Sequence, residues 1–299
     1  MKEGPAMLLE QLHTYAAVVE LKNFTKAGES LNLAQPTVSL HIKQLEEEFG
    51  TELIIRTKKQ FRITPAGRLL YDRAKQLIAL AEETKEDMIR QSGELTGTLS
   101  VAASNTIGEY VLPRLLAPLL RAHPKLELDI TIANTVEVES MVHEFRCDIG
   151  CIEGTIRQDS LIAVPFMEDE LIIIAGAGHP LAARKTVTPE DLQNARWITR
   201  EEGSGTREHT DHLLRSIGHV APKRLVIRSN GGVLQAVKAG LGIAAISVHA
   251  ARDGLSAGHL VRLDPGLPAQ KRTFSLLHAP LMAERAAVAA FLKTVTGAE

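Results

Sequence analysis

The sequence predicts an α/β protein in three parts: a small helical module ending in a basic hairpin, one long helix, and a larger region in which strands alternate with helices. Three observations carry that prediction. Apolar residues recur at three- and four-residue steps through the N-terminal segment and again from Pro65 to about Ser92. Beyond the stretch SGELTGT the pattern changes to short apolar strand-like runs separated by helical ones, which is the signature of an α/β layer structure. Between Arg56 and Lys75 seven bases face one acid, Asp72, although the 299-residue chain has a formal net charge of only −2.

The first helix is marked by Leu8, Leu12, Tyr15, Ala16 and Val19 and stops near Asn23. Thr25 is placed to cap a short second helix, KAGESLNL, with Ala27 and Leu31 inward. A third helix follows in AQPTVSLHIKQLEEEFG. There Pro36 suits the first turn, where its missing N–H is not needed, and Gly50 suits the left-handed position past the end. The inward face reads Val38, Ile42, Leu45 and Phe49. The outward face carries Gln35, Thr37, Ser39, His41 and Lys43, hydrogen-bonding side chains with no acid among them until Glu46. Next, ELIIRTKKQFRIT reads as two short strands around Lys58 and Lys59. A polar helix followed by a basic hairpin is the order a winged helix-turn-helix requires, with the helix in the major groove and the hairpin along phosphates.

Pro65 then opens the long helix, in which Leu70, Ala74, Leu77, Ala81, Thr84 and Met88 alternate steps of four and three. That spacing predicts a seam through which two copies pair. In the remainder, GTLSVAAS, LELDITIAN and CDIGCIEG read as strands, with GEYVLPRLLAPLLRAHP and VEVESMVHEF as helices between them. LIAVPFMEDELIIIAGAGHPLA reads as a pair of strands crossing into a second lobe. There RLVIRSN, GGVLQAVKAG and LGIAAISVHAA continue the alternation, and KRTFSLLHAP and a last helix, Leu281 to Val295, return to the first lobe. A mainly parallel sheet is expected.

The N-terminus lacks the apolar core of a signal peptide, and no apolar run reaches the roughly 20 residues of a membrane span, so a cytoplasmic protein is expected. Cys147 and Cys151 are expected to be buried reduced thiols, since two cysteines without further ligands make a poor metal site.

The segments FTKAGESLNLAQPTVSLHIKQLEEEFGTELIIR and ITPAGRLLYDRA resemble the LysR-type transcriptional regulators, and the resemblance covers the whole chain. It implies a winged helix-turn-helix over residues 1–64, a linker and dimerisation helix over 65–93, and an effector-binding domain over 94–299. The last is two-lobed, like type 2 periplasmic binding proteins, with lobe one near 94–163 and 267–299 and lobe two near 164–266. Gln35, Pro36, Thr37 and Ser39 match the DNA-reading stretch and Arg56 a wing arginine, which with His41, Lys43, Lys58 and Lys59 completes the expected interface to double-stranded DNA. Many members have arginine where Leu40 stands, and Ile55 replaces an aromatic residue. The resemblance also implies dimers that pair again into tetramers. SLHIKQLEEEFGTELI, ASNTIGEYVLPRLL and PFMEDELIIIA look most like regulators of cysteine and sulfite assimilation in Gram-positive bacteria.

In such a domain a ligand meets backbone N–H groups at helix starts between the lobes. Two starts fit: Ser104, Asn105 and Thr106 after the first strand, and Gly203, Ser204, Gly205 and Thr206, with Arg207, in REEGSGTR. Hydroxyls and dipole ends without a bulky apolar lining suit a small oxyanion or short carboxylate. Arg200 is a second source of charge, and Asn230–Gly231 a weaker helix start. His209 and His212 stand three apart without a third metal ligand. No nucleophile elbow, phosphate loop or dinucleotide fingerprint is present, so no catalytic residue or cofactor is expected; an enzyme acting on a small anion is the rival class.

Overall fold

The computed structural model describes residues 9–57, 60–89, 95–218 and 223–297 and divides the chain into two compact units, 1–93 and 94–299. Lys58 and Lys59, the tip of the expected hairpin, and Leu8 lie outside the described residues.

The first unit runs α1 (Leu9–Leu21), α2 (Phe24–Leu31), α3 (Gln35–Phe49), β1 (Ile54–Thr57), β2 (Gln60–Ile63) and α4 (Pro65–Ile89), with β1 and β2 antiparallel. Asn23, not Thr25, caps α2: its side chain accepts from the N–H groups of Thr25 and Lys26 at 2.9 and 3.0 Å. The cap has to stand in extended backbone ahead of those donors, and Thr25 is itself one of them. α3 keeps Pro36 in its first turn and ends at Gly50 with φ +63°, as its sequence dictates. Leu12, Tyr15, Ala16 and Val19 of α1, Val38, Ile42 and Leu45 of α3, and Tyr71, Ala74 and Ile78 of α4 form one core. Phe49 departs from the expected inward face and is exposed. The inward stripe ends at Leu45, and the next contact is made by Glu46, whose carboxylate accepts from Leu53 and Ile54 N–H and so ties α3 to the hairpin.

α4 divides its apolar residues between two jobs. Leu70 and Ala74, expected in the seam, pack instead on the core of their own unit, where the Tyr15 hydroxyl donates to Gly67 O at 2.8 Å. Leu77, Leu80, Thr84 and Met88 remain as an exposed line along the later turns.

The second unit contains β3 (Gly97–Ser104), α5 (Asn105–Tyr110), α6 (Leu112–Ala122), β4 (Leu126–Ala133), α7 (Thr135–His143), β5 (Ile149–Glu153), β6 (Ile162–Gly176), α8 (Pro189–Asn194), β7 (Trp197–Thr199), α9 (Gly205–Ser216), β8 (Arg224–Val226), α10 (Asn230–Lys238), β9 (Ala244–Ser247), α11 (Val248–Ser256), β10 (Leu260–Leu263), β11 (Gln270–His278) and α12 (Ala286–Thr296). The expected pair of strands at the crossing is one 15-residue strand, β6, whose pairing with β11 over residues 162–171 passes without a gap into pairing with β9 and β10 over residues 171–176. The expected helix from Gly108 onward is two, since Pro113 lacks the N–H that would continue α5. The last helix begins only at Ala286, after a 3-10 turn over Pro280–Glu284.

β3 pairs in parallel with β4 and β5, but β11 is antiparallel to β5 and β6, and β9 and β10 are antiparallel to β6, so the sheet is mixed rather than mainly parallel. The two crossing strands run in opposite directions because the chain leaves lobe one along β6 and returns along β11. In lobe two, alternation along β6 sends Ile172 and Ile174 into a cluster with Val233, Val237 and Ile246, and Ile173 and Ala175 into another with Trp197, Leu213 and Ile243. Lobe one packs α7 on the parallel strands through Val138, Met141, Val142, Ala102 and Ile152. The strand ends Ser104, Glu153, Thr199 and Ser247 are thereby all buried and followed by loops or helix starts.

Candidate functional site

The first candidate surface lies on α3 and β1. Gln35 and Pro36 are exposed, and Gln35 Nε2 donates to Ser39 Oγ at 2.8 Å, so these two side chains form one polar unit on the outward face. Lys43 is exposed and pairs with Glu47 at 3.2 Å. Arg56 stacks its guanidinium 4.9 Å from the centre of the Phe24 ring, which fixes its direction without using its N–H donors. Pro36, Ser39, Leu40, Lys43, Phe24 and Arg56 line a groove of about 500 Å³. Thr37 is half-buried. His41 is turned toward α1, with Nδ1 2.9 Å from the Thr14 hydroxyl, so its ring supports the helix packing as well as bordering the outward face.

The second candidate site lies between the lobes, and its centre is a residue the sequence did not single out. Arg272 of β11 is buried, and its NH1 donates to Thr206 Oγ1 at 3.1 Å while NH2 reaches Thr106 Oγ1 at 3.5 Å. One guanidinium thus touches a hydroxyl from each lobe. Its Nε donates to Asp169 Oδ2 at 2.7 Å, and Ser247 Oγ donates to Asp169 Oδ1 at 2.7 Å. On the other side stands Glu153, 3.7 Å from Arg272 NH1, with its carboxylate accepting from the hydroxyls of Ser104 and Thr106. Burial of these charges is tolerable only because each oxygen and nitrogen has such partners.

A second guanidinium closes the array. Arg200, at the end of β7, is held by both oxygens of Glu201 at 2.9 Å and donates through NH1 to Asn230 Oδ1 at 2.8 Å. Asn230 Nδ2 then donates to Thr106 Oγ1 at 3.1 Å, linking α10 of lobe two to α5 of lobe one. Nearby, burial raises the Glu109 carboxyl, which the Tyr110 phenol and Arg200 pull back, and burial pushes the Tyr110 phenol up to about 12. His249 is 3.9 Å from Asp169, and burial lowers its pKa more than that carboxylate raises it.

The expected effector residues fall into two groups. Ser104, Thr106 and Thr206 gather round Arg272 and Glu153. Gly203, Ser204 and Arg207 instead line a cavity of about 360 Å³ with Thr135, Thr155 and Arg157. Between the groups runs a seam in which Val136 N–H donates to Gly203 O at 3.2 Å and Gly205 N–H to Thr135 Oγ1 at 3.2 Å. The glycines serve that seam: Gly203 has φ +87°, and a Cβ on Gly205 would stand 2.2 Å from Glu153 O. Asn105 Nδ2 donates to Ala133 O, tying α5 to β4, and Arg207 is committed to Asp211 at 2.7 Å and to Arg200 O at 2.9 Å. Neither Ser104 nor Ser204 caps its helix with its side chain.

Cys147 and Cys151 are free and buried; burial pushes the Cys147 thiol up to about 12 and raises that of Cys151 as well. Among the described residues, no group of three or more His, Cys, Asp or Glu is placed to hold a metal ion, and no helix is long and apolar enough to cross a membrane.

A winged helix-turn-helix, a long helix and a two-lobed α/β domain with a polar cleft together define a two-module helix-turn-helix regulator. Residues 9–68 match the bacterial regulatory helix-turn-helix protein, lysR family, and residues 92–298 match the LysR substrate binding domain. The chain belongs to the LysR family of transcriptional regulators. It is 47% identical over 276 residues to the HTH-type transcriptional regulator CysL of Bacillus subtilis strain 168, with 92% of each chain covered. It is 31% identical to the RuBisCO operon transcriptional regulator of Allochromatium vinosum, covering 89% of this chain and 88% of that one. A full-length OxyR variant of Pseudomonas aeruginosa has the same fold, with a TM-score of 0.76 at 22% identity over 97% of this chain and 95% of that one.

Proposed function

We propose that this regulator binds its operator through Gln35, Pro36, Thr37, Ser39, His41, Lys43, Arg56, Lys58 and Lys59 and is switched by a small oxyanion or short carboxylate held between its lobes. The observation that carries the second half is the contact of Arg272 with Thr106 and Thr206, one hydroxyl from each lobe. Ser104, Thr106 and Arg272 already surround an anionic group, the Glu153 carboxylate, which supports a chemistry suited to one. A ligand that engages both threonines favours one relative placement of the lobes, and the DNA-binding pairs respond to that placement. The ligand is read rather than consumed.

Copies pair through the exposed line Leu77, Leu80, Thr84 and Met88 and pair again through their effector domains into a tetramer, spanning two half-sites. Sulfur assimilation is the pathway favoured by the likeness of SLHIKQLEEEFGTELI and PFMEDELIIIA to regulators of that process, with the 47% identity to CysL in support. The likeness to a RuBisCO operon regulator supports a second reading, control of another metabolic pathway. Binding of the full chain to a randomised duplex library separates the DNA roles. Ser39→Glu is expected to abolish sequence preference, whereas Arg56→Ala weakens all sequences and lowers the salt slope by about one. Unchanged selection in both variants would contradict the docking.

A further inference from the structure

We propose that Leu40 is a specificity-determining residue that reads the methyl group of a thymine in each operator half-site. The proposal rests on the docking of α3 in the major groove and goes beyond it by naming the base feature read.

Leu40 lies between Val38 and Ile42, the buried residues of α3, on the opposite side of the helix, and is 51% exposed. Its groove is mixed, with Ser39, Lys43, Glu46 and Arg56 beside the apolar Phe24, Ile42 and Ile54. Pro36, Ser39 and Lys43 surround it on the helix, and Arg56, fixed over Phe24, closes the far side of the same groove. About half of this apolar side chain stays open to solvent, in the same groove as the cations Lys43 and Arg56. Lys43 and Arg56 provide the charge that attracts phosphates on either side, which places Leu40 toward the base edges between them.

Leucine has no donor or acceptor, so it cannot satisfy guanine N7 and O6, cytosine N4 or adenine N6 and N7. Set against any of these it desolvates polar groups and returns nothing. The thymine C5 methyl is the one apolar feature that the four base pairs present in the major groove. Leu40 therefore selects thymine in two ways, by burying its methyl group and by excluding bases whose polar edges it would leave unpaired.

The test uses the full chain and a duplex selected from a randomised library. Each thymine of that duplex is replaced singly by deoxyuridine, which removes the methyl group and leaves the pairing edge unchanged. The expected result is one position per half-site at which wild type loses about fourfold in affinity, the ratio one buried methyl group supports. Leu40→Ala, an exposed substitution, is expected to bind the thymine and uracil duplexes equally at that position. Leu40→Arg should shift the selected base there to guanine. A flat uracil scan by a protein that still selects a sequence, or an unchanged methyl preference in Leu40→Ala, would overturn the assignment of Leu40 alone. Selection that yields no sequence preference at all would overturn it together with the docking of α3.

Discussion

Arg272 and Asp169 stand opposite one another on the two strands that cross between the lobes, and the guanidinium Nε donates to the carboxylate at 2.7 Å. The pair sits where both lobes meet, so its loss acts on each. Replacing Arg272 by Met leaves Asp169 and Glu153 buried without their cation, and a loss of about 3–5 kcal/mol is expected in urea unfolding of the effector domain. The neighbouring Lys271→Met, which removes an exposed charge, should change stability by no more than about 0.5 kcal/mol. Equal effects in the two variants would mean that the buried network is not what joins the lobes.

Leu77 is 42% exposed on α4, next to Ile78, which packs on the core. Leu77→Glu puts a charge into the proposed seam and should shift the protein to smaller species in light scattering. Ile78→Glu, at a position buried within the unit, should unfold the DNA-binding unit instead. An unaltered mass for Leu77→Glu would remove α4 from the assembly.

The thiols of Cys147 and Cys151 are buried and held protonated well above neutrality. No labelling of the native protein by a thiol-disulfide reagent at pH 8 is expected, with both residues reacting once the chain is unfolded. Rapid labelling of the folded protein would show that at least one of these thiols is accessible and reactive.

His249 has its pKa lowered below the ordinary value of 6.5, chiefly by burial. An unfolded chain then binds a proton that the folded one refuses, so stability rises with pH. The contribution is fully present above the unfolded value near 6.5 and is lost as pH falls through the lower folded value. The ring should titrate below pH 6.5 by NMR, and Asp169→Asn should lower its midpoint further, since that carboxylate favours the charged ring. A midpoint at or above 6.5 in wild type would mean that burial does not outweigh the Asp169 carboxylate.

Most of the secondary structure was legible because it is local. GTLSVAAS maps onto β3 residue for residue, and Pro36 and Gly50 mark the ends of α3. The cleft was only half legible. Ser104, Thr106 and Thr206 follow strand ends that the pattern reveals, but Arg272, Asp169 and Glu153 meet through pairing across 103 and more residues, which no local period encodes. A signal was nonetheless present. In QKRTFSLLH, Arg272 shares parity with Phe274 and Leu276, the inward face of β11, whereas Lys271 and Thr273 point out. A charge at an inward position asks for a buried partner. The division of α4 was hidden for another reason: Leu70 and Leu77 fit the same heptad, and only the position of α1 decides which of them is covered.

Binding of a small anion between Thr106 and Thr206, sensed without being changed, is tested most directly by calorimetric titration of the full chain with sulfate, sulfite, phosphate and short carboxylates, in wild type and in Thr106→Val and Thr206→Val. Each substitution removes one hydroxyl and little volume. One of these anions is therefore predicted to bind wild type, to bind each variant about tenfold more weakly and to be recovered unaltered, while operator binding without ligand is unchanged. Normal affinity in both variants would place the effector elsewhere, and recovery of a chemically altered ligand would contradict a sensing role outright.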